Sequence, residues 1–388
     1  MKQNRCKKLI WQLASIGTVC LTIPLGVVLS SCASKDNNSN NNSTIIDGSP
    51  SVPNIPNNHP NNEKPSSPTP PNNEEPSSPL PSPTPPTIEI KPTLDDKEIK
   101  NQMSYDANLN LSLDYYSTKI ILDLDGNISS ESLAKLTIKD GFIFSDKDMT
   151  NLIAINPKIV NNKITIPNTV KKITGYVAMV PDTAGVDPSQ SVDNRNYNSI
   201  PVGAFQLLEI IRKGTNEVNP MVSVKGCENI TTVDFMPNSQ LEMIGAMAFM
   251  NCINLETINL PNFCYAIGSM AFMNCIKLIN INLENIQYIG NGAFNCSFIK
   301  DFEENNPSLK SILLDLSSAK TIGVGAFDTN VWYDKNNMTQ IPSGSEDLSS
   351  ENVVIFKVKS CIKGVKFGSE KPEISEYAFN GSESILKF

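Results

Sequence analysis

Few side chains in this sequence are placed to catalyse a reaction. The single histidine, His59, lies in a tract rich in Pro and Asn, whereas histidine catalysis and histidine–metal chemistry both need an imidazole in a packed site. Acidic pairs such as Asp95-Asp96 and Glu303-Glu304 lie in polar stretches. Catalysis by two carboxylates needs them to face each other across a cleft, about 5–10 Å apart. We therefore expect no enzyme and no cofactor.

One short segment has residues that could contact a metal ion. Residues 123–127 read Asp-Leu-Asp-Gly-Asn, which is similar to the start of a calcium-binding loop. The bidentate Glu that completes such a loop is missing at the expected spacing. Asp, Gly and Asn also form tight turns, and we therefore predict a turn here rather than a metal site.

The N-terminus has the layout of a secretory signal. Met1–Lys8 carries four positive charges, and Leu9–Leu29 is almost entirely apolar or small, as in cleaved export signals. Residues 29–32, Leu-Ser-Ser-Cys, resemble a bacterial lipobox, which implies a lipoprotein signal peptide at 1–31 and a lipid on Cys32. The alternative is an uncleaved anchor, since about 20 apolar residues can span a bilayer. In both cases we expect the remaining chain at the outer face of the cell membrane.

The charge of the chain argues against a nucleic-acid partner. Removal of residues 1–31, which hold four Lys and Arg and no Asp or Glu, lowers the formal charge from −8 to −12. An acidic surface repels phosphate backbones. We therefore expect partners other than DNA or RNA.

Residues 32–92 are predicted to be a disordered linker rich in Pro, Asn and Ser that follows the lipidated cysteine. Residues 33–92 contain no Phe, Trp or Tyr and hold 15 of the 27 prolines. Such a composition buries too little apolar area to offset the loss of chain entropy. Pro-rich chain is extended, at ~3.1 Å per residue, so the linker is expected to act as a spacer.

The second half of the chain is built from a repeated unit. The pattern Ile-Gly-x-x-Ala-Phe starts at Ile244, Ile267, Ile289 and Ile322, with weaker copies at Ile200–Phe205 and Ile374–Phe379. The first three copies are 23 and 22 residues apart, and insertions account for the longer later steps. A fixed period of this length is typical of a solenoid, in which each unit is one stacked turn.

A second pattern lies between these copies. It consists of an apolar residue, two of any kind, an apolar residue, one of any kind and an apolar residue, as in Leu255-x-x-Ile258-x-Leu260. Its alternation predicts a short strand with one buried face. We expect seven or eight stacked turns. The glycine after Ile should serve either a close approach or a positive φ.

Together the two patterns resemble the leucine-rich repeat of BspA-like bacterial surface proteins, most closely over Leu255–Cys275. The resemblance implies a β-rich repeat solenoid of short strands and turns at 151–388. Before it, we expect an N-terminal cap or small β module at 93–150. It also implies attachment to host matrix or cells. The Asn- and Ile-rich composition and the signal are similar to those of mycoplasma surface lipoproteins.

Four of the nine cysteines recur with the repeat. Cys227, Cys252, Cys275 and Cys296 each lie three residues before the first apolar residue of the strand pattern. Their spacing is too long for a metal knuckle. We expect buried thiols, as for Cys264 and Cys361; disulfides between neighbouring turns are the alternative.

The outward residues of the predicted strands form the candidate binding face. They should line up as two polar columns across the turns, which suits an extended protein or glycan. The alternatives are that these are merely soluble positions, or that the chain is a structural protein that self-associates through the solenoid ends. The face residues are Thr232, Asp234, Thr257, Asn259, Asn280, Asn282, Ser311 and Leu313.

Overall fold

The computed structural model describes residues 93–104, 115–123, 125–156, 162–182, 197–214, 220–298, 312–334, 340–341, 353–358 and 360–382. Several positions named above lie outside the described residues: the whole of 1–92 with Cys32 and His59, the acidic pair Glu303-Glu304, and Ser311.

Short strands dominate the described chain. Two helices lie near its start, α1 (Asp96–Met103) and α2 (Ser130–Leu133). The strands are β1 (Lys119–Ile121), β2 (Thr137–Lys139), β3 (Phe142–Phe144), β4 (Asn151–Ile155), β5 (Lys163–Ile166), β6 (Lys172–Ile173), β7 (Gly175–Pro181), β8 (Tyr197–Gly203), β9 (Gln206–Arg212), β10 (Met221–Gly226), β11 (Thr232–Phe235), β12 (Met243–Ile244), β13 (Thr257–Ile258), β14 (Ala266–Ile267), β15 (Asn280–Ile281), β16 (Tyr288–Ile289), β17 (Ile312–Leu316), β18 (Thr321–Ile322), β19 (Val331–Asp334), β20 (Gln340–Ile341), β21 (Val353–Phe356), β22 (Ile362–Phe367) and β23 (Glu373–Ile374).

Stacked turns build two kinds of parallel sheet. The Ile-Gly strands lie in a nine-stranded sheet of order β2-β3-β4-β6-β12-β14-β16-β18-β23, which is parallel from β4 onward. The other strand of each turn lies in a four-stranded sheet, β15-β13-β11-β5, or in the pair β17-β22. Among the described residues six turns supply one strand of each kind, fewer than the seven or eight predicted, because insertions take up much of the remaining chain.

A row of stacked phenylalanines forms the centre of the core. The rings of Phe249, Phe272 and Phe294 are 5.2 and 5.1 Å apart between centroids and within 3° of parallel. Phe205 and Phe379 extend the two ends of the row, and each of these rings is at most 2% exposed. The predicted solenoid is therefore confirmed, since each turn places one ring on the ring of the turn before.

The glycine after Ile serves a close approach rather than a positive φ. A Cβ on Gly268 would lie 2.5 Å from the nitrogen of Ala246 in the preceding turn. The positive φ falls two residues later, on Met247 (54°), Met270 (53°) and their glycine or tyrosine counterparts. Of the two predicted roles for this glycine, the first is correct because neighbouring turns touch through their backbones here.

The first turn is interrupted by an inserted hairpin. Ile173 occupies the strand position that the sequence pattern assigned to Ile200, since β6 pairs with β12 at Ile244. The chain then leaves as the antiparallel pair β7-β8 and returns at Ala204, whose N–H donates to the Thr174 carbonyl. Ile200 is wrong as a repeat position: it packs in a separate cluster of the hairpin.

The region before the repeats forms strand pairings at two places. Strands β2 and β3 are antiparallel to each other and extend the nine-stranded sheet beyond β4. Strand β1 pairs in parallel with β7 of the inserted hairpin. Leu94–Met103, which the sequence indicates as a short helix, contains α1. The N-cap of α1 is Asp95, whose carboxylate accepts a hydrogen bond from the N–H of Glu98 at 2.7 Å. Residues 109–113, whose alternating leucines favour a strand, lie outside the described residues.

Candidate binding face

The four-stranded sheet aligns the outward residues in two columns. In the first column Thr232 pairs in register with Lys163 on one side and with Thr257 on the other, followed by Asn280. Inward and outward side chains alternate along each strand, so the residues between the two columns, such as Val233, point into the core. The second column contains Thr165, Asp234, Asn259 and Asn282, each two residues further along the chain.

Polar contacts join residues of the two columns across three turns. Lys163 Nζ lies 2.7 Å from one carboxylate oxygen of Asp234, and the amide of Asn259 donates to the other oxygen at 2.7 Å. These two donors, Lys163 first, hold the pKa of the Asp234 carboxyl below its usual value. The carboxylate therefore stays charged, and both its neighbours are held in place.

The asparagines of the face have two different roles. Asn280 is exposed and donates to the hydroxyl of Thr257 at 3.1 Å. Asn282 instead accepts from the N–H of Leu260 at 2.7 Å and donates to its carbonyl at 2.8 Å. Asn282 therefore satisfies the backbone of the preceding turn, whereas Asn259 and Asn280 present their side chains to solvent.

The structure places four of the eight predicted residues in one sheet, and Asn259 and Asn282 directly follow its strands β13 and β15. Leu313 lies on β17 in the separate pair β17-β22, where it is 70% exposed and opposite Gly364. Because Leu313 is apolar and the glycine opposite it has no side chain, this position differs from the polar columns. Lys163 and Thr165 were not among the predicted residues, although the pattern Ile164-Thr165-Ile166 before a proline already indicated their strand.

The residues that follow Asp123, whose sequence is similar to the start of a calcium-binding loop, are hydrogen-bonded to the Asp123 carboxylate. One carboxylate oxygen of Asp123 accepts from the N–H groups of Asp125 and Asn127, both at 2.8 Å, and the other accepts from the Asn127 amide. These bonds from Asn127 lower the pKa of the Asp123 carboxyl. Within the part of the chain that the structure describes, no cluster of His, Cys, Asp or Glu is arranged to hold a metal ion.

The six cysteines of the repeat region are buried, and none is placed in a disulfide. The thiols of Cys252 and Cys275 donate to the carbonyls of Phe205 and Phe249 in the preceding turns, at 3.5 and 3.2 Å. Burial raises the pKa of both thiols. A disulfide between Cys252 and Cys275 would remove these hydrogen bonds. This arrangement therefore favours two thiols that donate hydrogen bonds over a disulfide.

Cys296 does not belong to this row of donors. It has a φ of 57°, which places it with Asn251 and Asn274, one residue before the donor position. Ser297 takes the donor position, and its hydroxyl donates to the carbonyl of Phe272 at 2.7 Å. The predicted register of Cys296 is therefore wrong, because this turn places its serine where the earlier turns have cysteine.

The stacked turns and their two strand patterns define a leucine-rich repeat domain. More particularly, residues 222–328 match the family described as BspA type Leucine rich repeat region, in 6 copies. Within the described ranges, no helix combines the length and the apolar character needed to cross a bilayer.

Two solved structures are similar to the chain. The crystal structure of the pneumococcal vaccine antigen PcpA is 17% identical, with a TM-score of 0.31, over 67% of this chain and 56% of that chain. A leucine-rich repeat protein from Bacteroides ovatus is 19% identical, with a TM-score of 0.26, over 63% of this chain and 49% of that chain. The chain thus spans about half the length of each. No curated protein matches it in sequence.

Proposed function

We propose that the chain is an exported, lipid-anchored surface protein that binds an extracellular protein or glycan through its four-stranded sheet, as an adhesin does. The observation that carries this proposal is the pair of polar columns. Asn259 and Asn280 are exposed, and each is bonded to the turn before it. Side chains held in place before binding lose little conformational entropy on contact with a partner.

The position of helix α1 supports the choice of this face. The helix packs on Met243 and Ala266, which point outward from the nine-stranded sheet. Residues 93–104, which follow the predicted linker, therefore pack on a different sheet from the one that carries the polar columns. An anchor on Cys32 leaves the proposed binding face uncovered by this segment.

Self-assembly through the solenoid ends has less support. Within the described residues the nine-stranded sheet ends at β2, an antiparallel strand of three residues that includes Lys139. Short edge strands with lysine are a common means of avoiding edge-to-edge pairing. Copies that associate through this end would have to pair with this short, lysine-containing edge strand.

Membrane anchoring is tested by replacing Cys32 with serine. A serine hydroxyl cannot form the thioether to a lipid, so we expect Cys32→Ser to move the protein from the detergent phase to the aqueous phase in a detergent partition. Cys264→Ser is the matched control, because its thiol is buried in the repeat domain. A Cys32→Ser protein that remains in the detergent phase would leave the uncleaved anchor as the better explanation.

Binding through the face is tested by the double substitution Asn259→Lys and Asn280→Lys. We expect it to weaken binding to a panel of immobilised matrix proteins and glycans by about tenfold or more, because two long cations block the columns. Asn282 is left unchanged, since its substitution would disturb the Leu260 backbone. Asn101→Lys, on the exposed side of α1, is the matched control. Undiminished binding by the double variant would place the binding site elsewhere.

A further inference from the structure

The N-terminal segment 93–104 is held on the repeat domain mainly by polar contacts. Glu242 accepts hydrogen bonds from the N–H and the hydroxyl of Thr93. The ammonium of Lys172 lies 2.6 Å from the carboxylate of Glu98. The one aliphatic side chain of the segment that is fully buried is Ile99, at 5% exposure.

The same segment supplies acceptors to three successive turns. The N–H of Ala246 donates to the side-chain oxygen of Gln102 at 2.8 Å. The N–H of Ser269 donates to the Gln102 carbonyl at 2.7 Å, and that of Asn291 to the Met103 carbonyl at 2.8 Å. We call these three N–H groups the segment amides. The exchange of these amides with solvent therefore reports whether the segment is in place.

The core of the repeats does not include this segment. The main cluster, which contains the phenylalanine row, has no member from residues 93–104. Ile99 belongs to a separate small cluster with Met243, Tyr265 and Ala266, against which Leu94 and Met103 also pack. An isolated helix of eight residues is marginal in water, so the segment depends on these contacts and on its hydrogen bonds with Tyr115. The Gln102 amide donates to the Tyr115 carbonyl, and the Tyr115 hydroxyl donates to the Ser104 carbonyl at 2.6 Å.

We propose that residues 93–104 act as a latch, which opens while the repeat core stays folded. Opening breaks the contacts to Glu242, Lys172, Tyr115 and the segment amides. It uncovers the apolar sheet surface around Met243 and Ala266. It also adds 12 residues, or roughly 40 Å of extended chain, to the tether. This last consequence rests on the proposed anchoring at Cys32, whereas the opening itself does not.

Hydrogen exchange on the full chain tests the latch. The reference set is the ladder amides, the N–H groups of Phe249, Phe272 and Phe294, which donate to carbonyls of the next turn at 2.7–2.8 Å. We expect the segment amides to exchange through an opening that depends less on denaturant than global unfolding does, since it exposes less surface. The ladder amides should exchange only with global unfolding.

The substitution Ile99→Ala sharpens the test. It removes the buried aliphatic contact, so the segment amides should exchange on the order of tenfold faster, with the ladder amides unchanged. Lys97→Ala, on the exposed side of the same helix, is the control and should alter neither set. The latch is refuted if both sets exchange alike in the native chain, or if Ile99→Ala accelerates both equally. Because no ligand is involved, this result does not depend on the outcome of the binding experiment.

Discussion

Replacing Phe272 with alanine should lower the free energy of unfolding by about 3–5 kcal/mol. The ring is fully buried and lies between Phe249 and Phe294, so its removal leaves a cavity with stacked rings on both sides. Neighbouring turns are tied by backbone hydrogen bonds on each side, which limits how far the cavity can collapse. Urea unfolding followed by circular dichroism measures the loss.

Phe263→Ala is the control for this prediction. Phe263 is 42% exposed and lies outside the main core cluster, so the same truncation should cost less than about 1 kcal/mol. Equal losses in the two variants would contradict the conclusion that the phenylalanine row stabilises the solenoid.

The second large effect is expected for Gly268→Ala. The added Cβ would lie 2.5 Å from the nitrogen of Ala246 and 2.7 Å from the carbonyl carbon of Gly245. Both contacts are to backbone, so no side chain can move aside and the two turns must separate. We expect a loss of about 2–4 kcal/mol in the free energy of unfolding, measured by the same urea titration.

Gly292→Ala separates close approach from backbone conformation. Gly292 has a φ of 61°, and the equivalent residues Met247 and Met270 already adopt 54° and 53°. An alanine there should therefore cost only about 1 kcal/mol, the usual penalty of the left-handed region. A loss for Gly268→Ala no larger than for Gly292→Ala would show that the contact between turns is not the reason for the glycine.

The period of the repeat could be predicted from the sequence because each turn repeats the same local pattern. The strand at Ile258, the buried ring of Phe272 and the outward direction of Asn259 all follow from alternation within a few residues. Their stacking follows as well, since equivalent residues of successive turns must lie one above the other. The same alternation and stacking predict which strand residues face outward.

Other features depend on contacts between residues far apart in the sequence. The pattern alone could not place Ile173 rather than Ile200 in the first turn, because the inserted hairpin separates Thr174 from Ala204. Nor could it separate Asn282 from Asn280, since only the position of Leu260 in the turn before decides which amide meets a backbone.

The repeat, its buried apolar residues and its polar strand face follow from the amino-acid order, because they depend on short-range alternation and a fixed period. Three other features depend on long-range contacts: which asparagines are available, which residue takes the positive φ, and where residues 93–104 are attached. The last of these depends on three N–H groups of different turns that meet acceptors on one helix, more than 140 residues earlier in the chain.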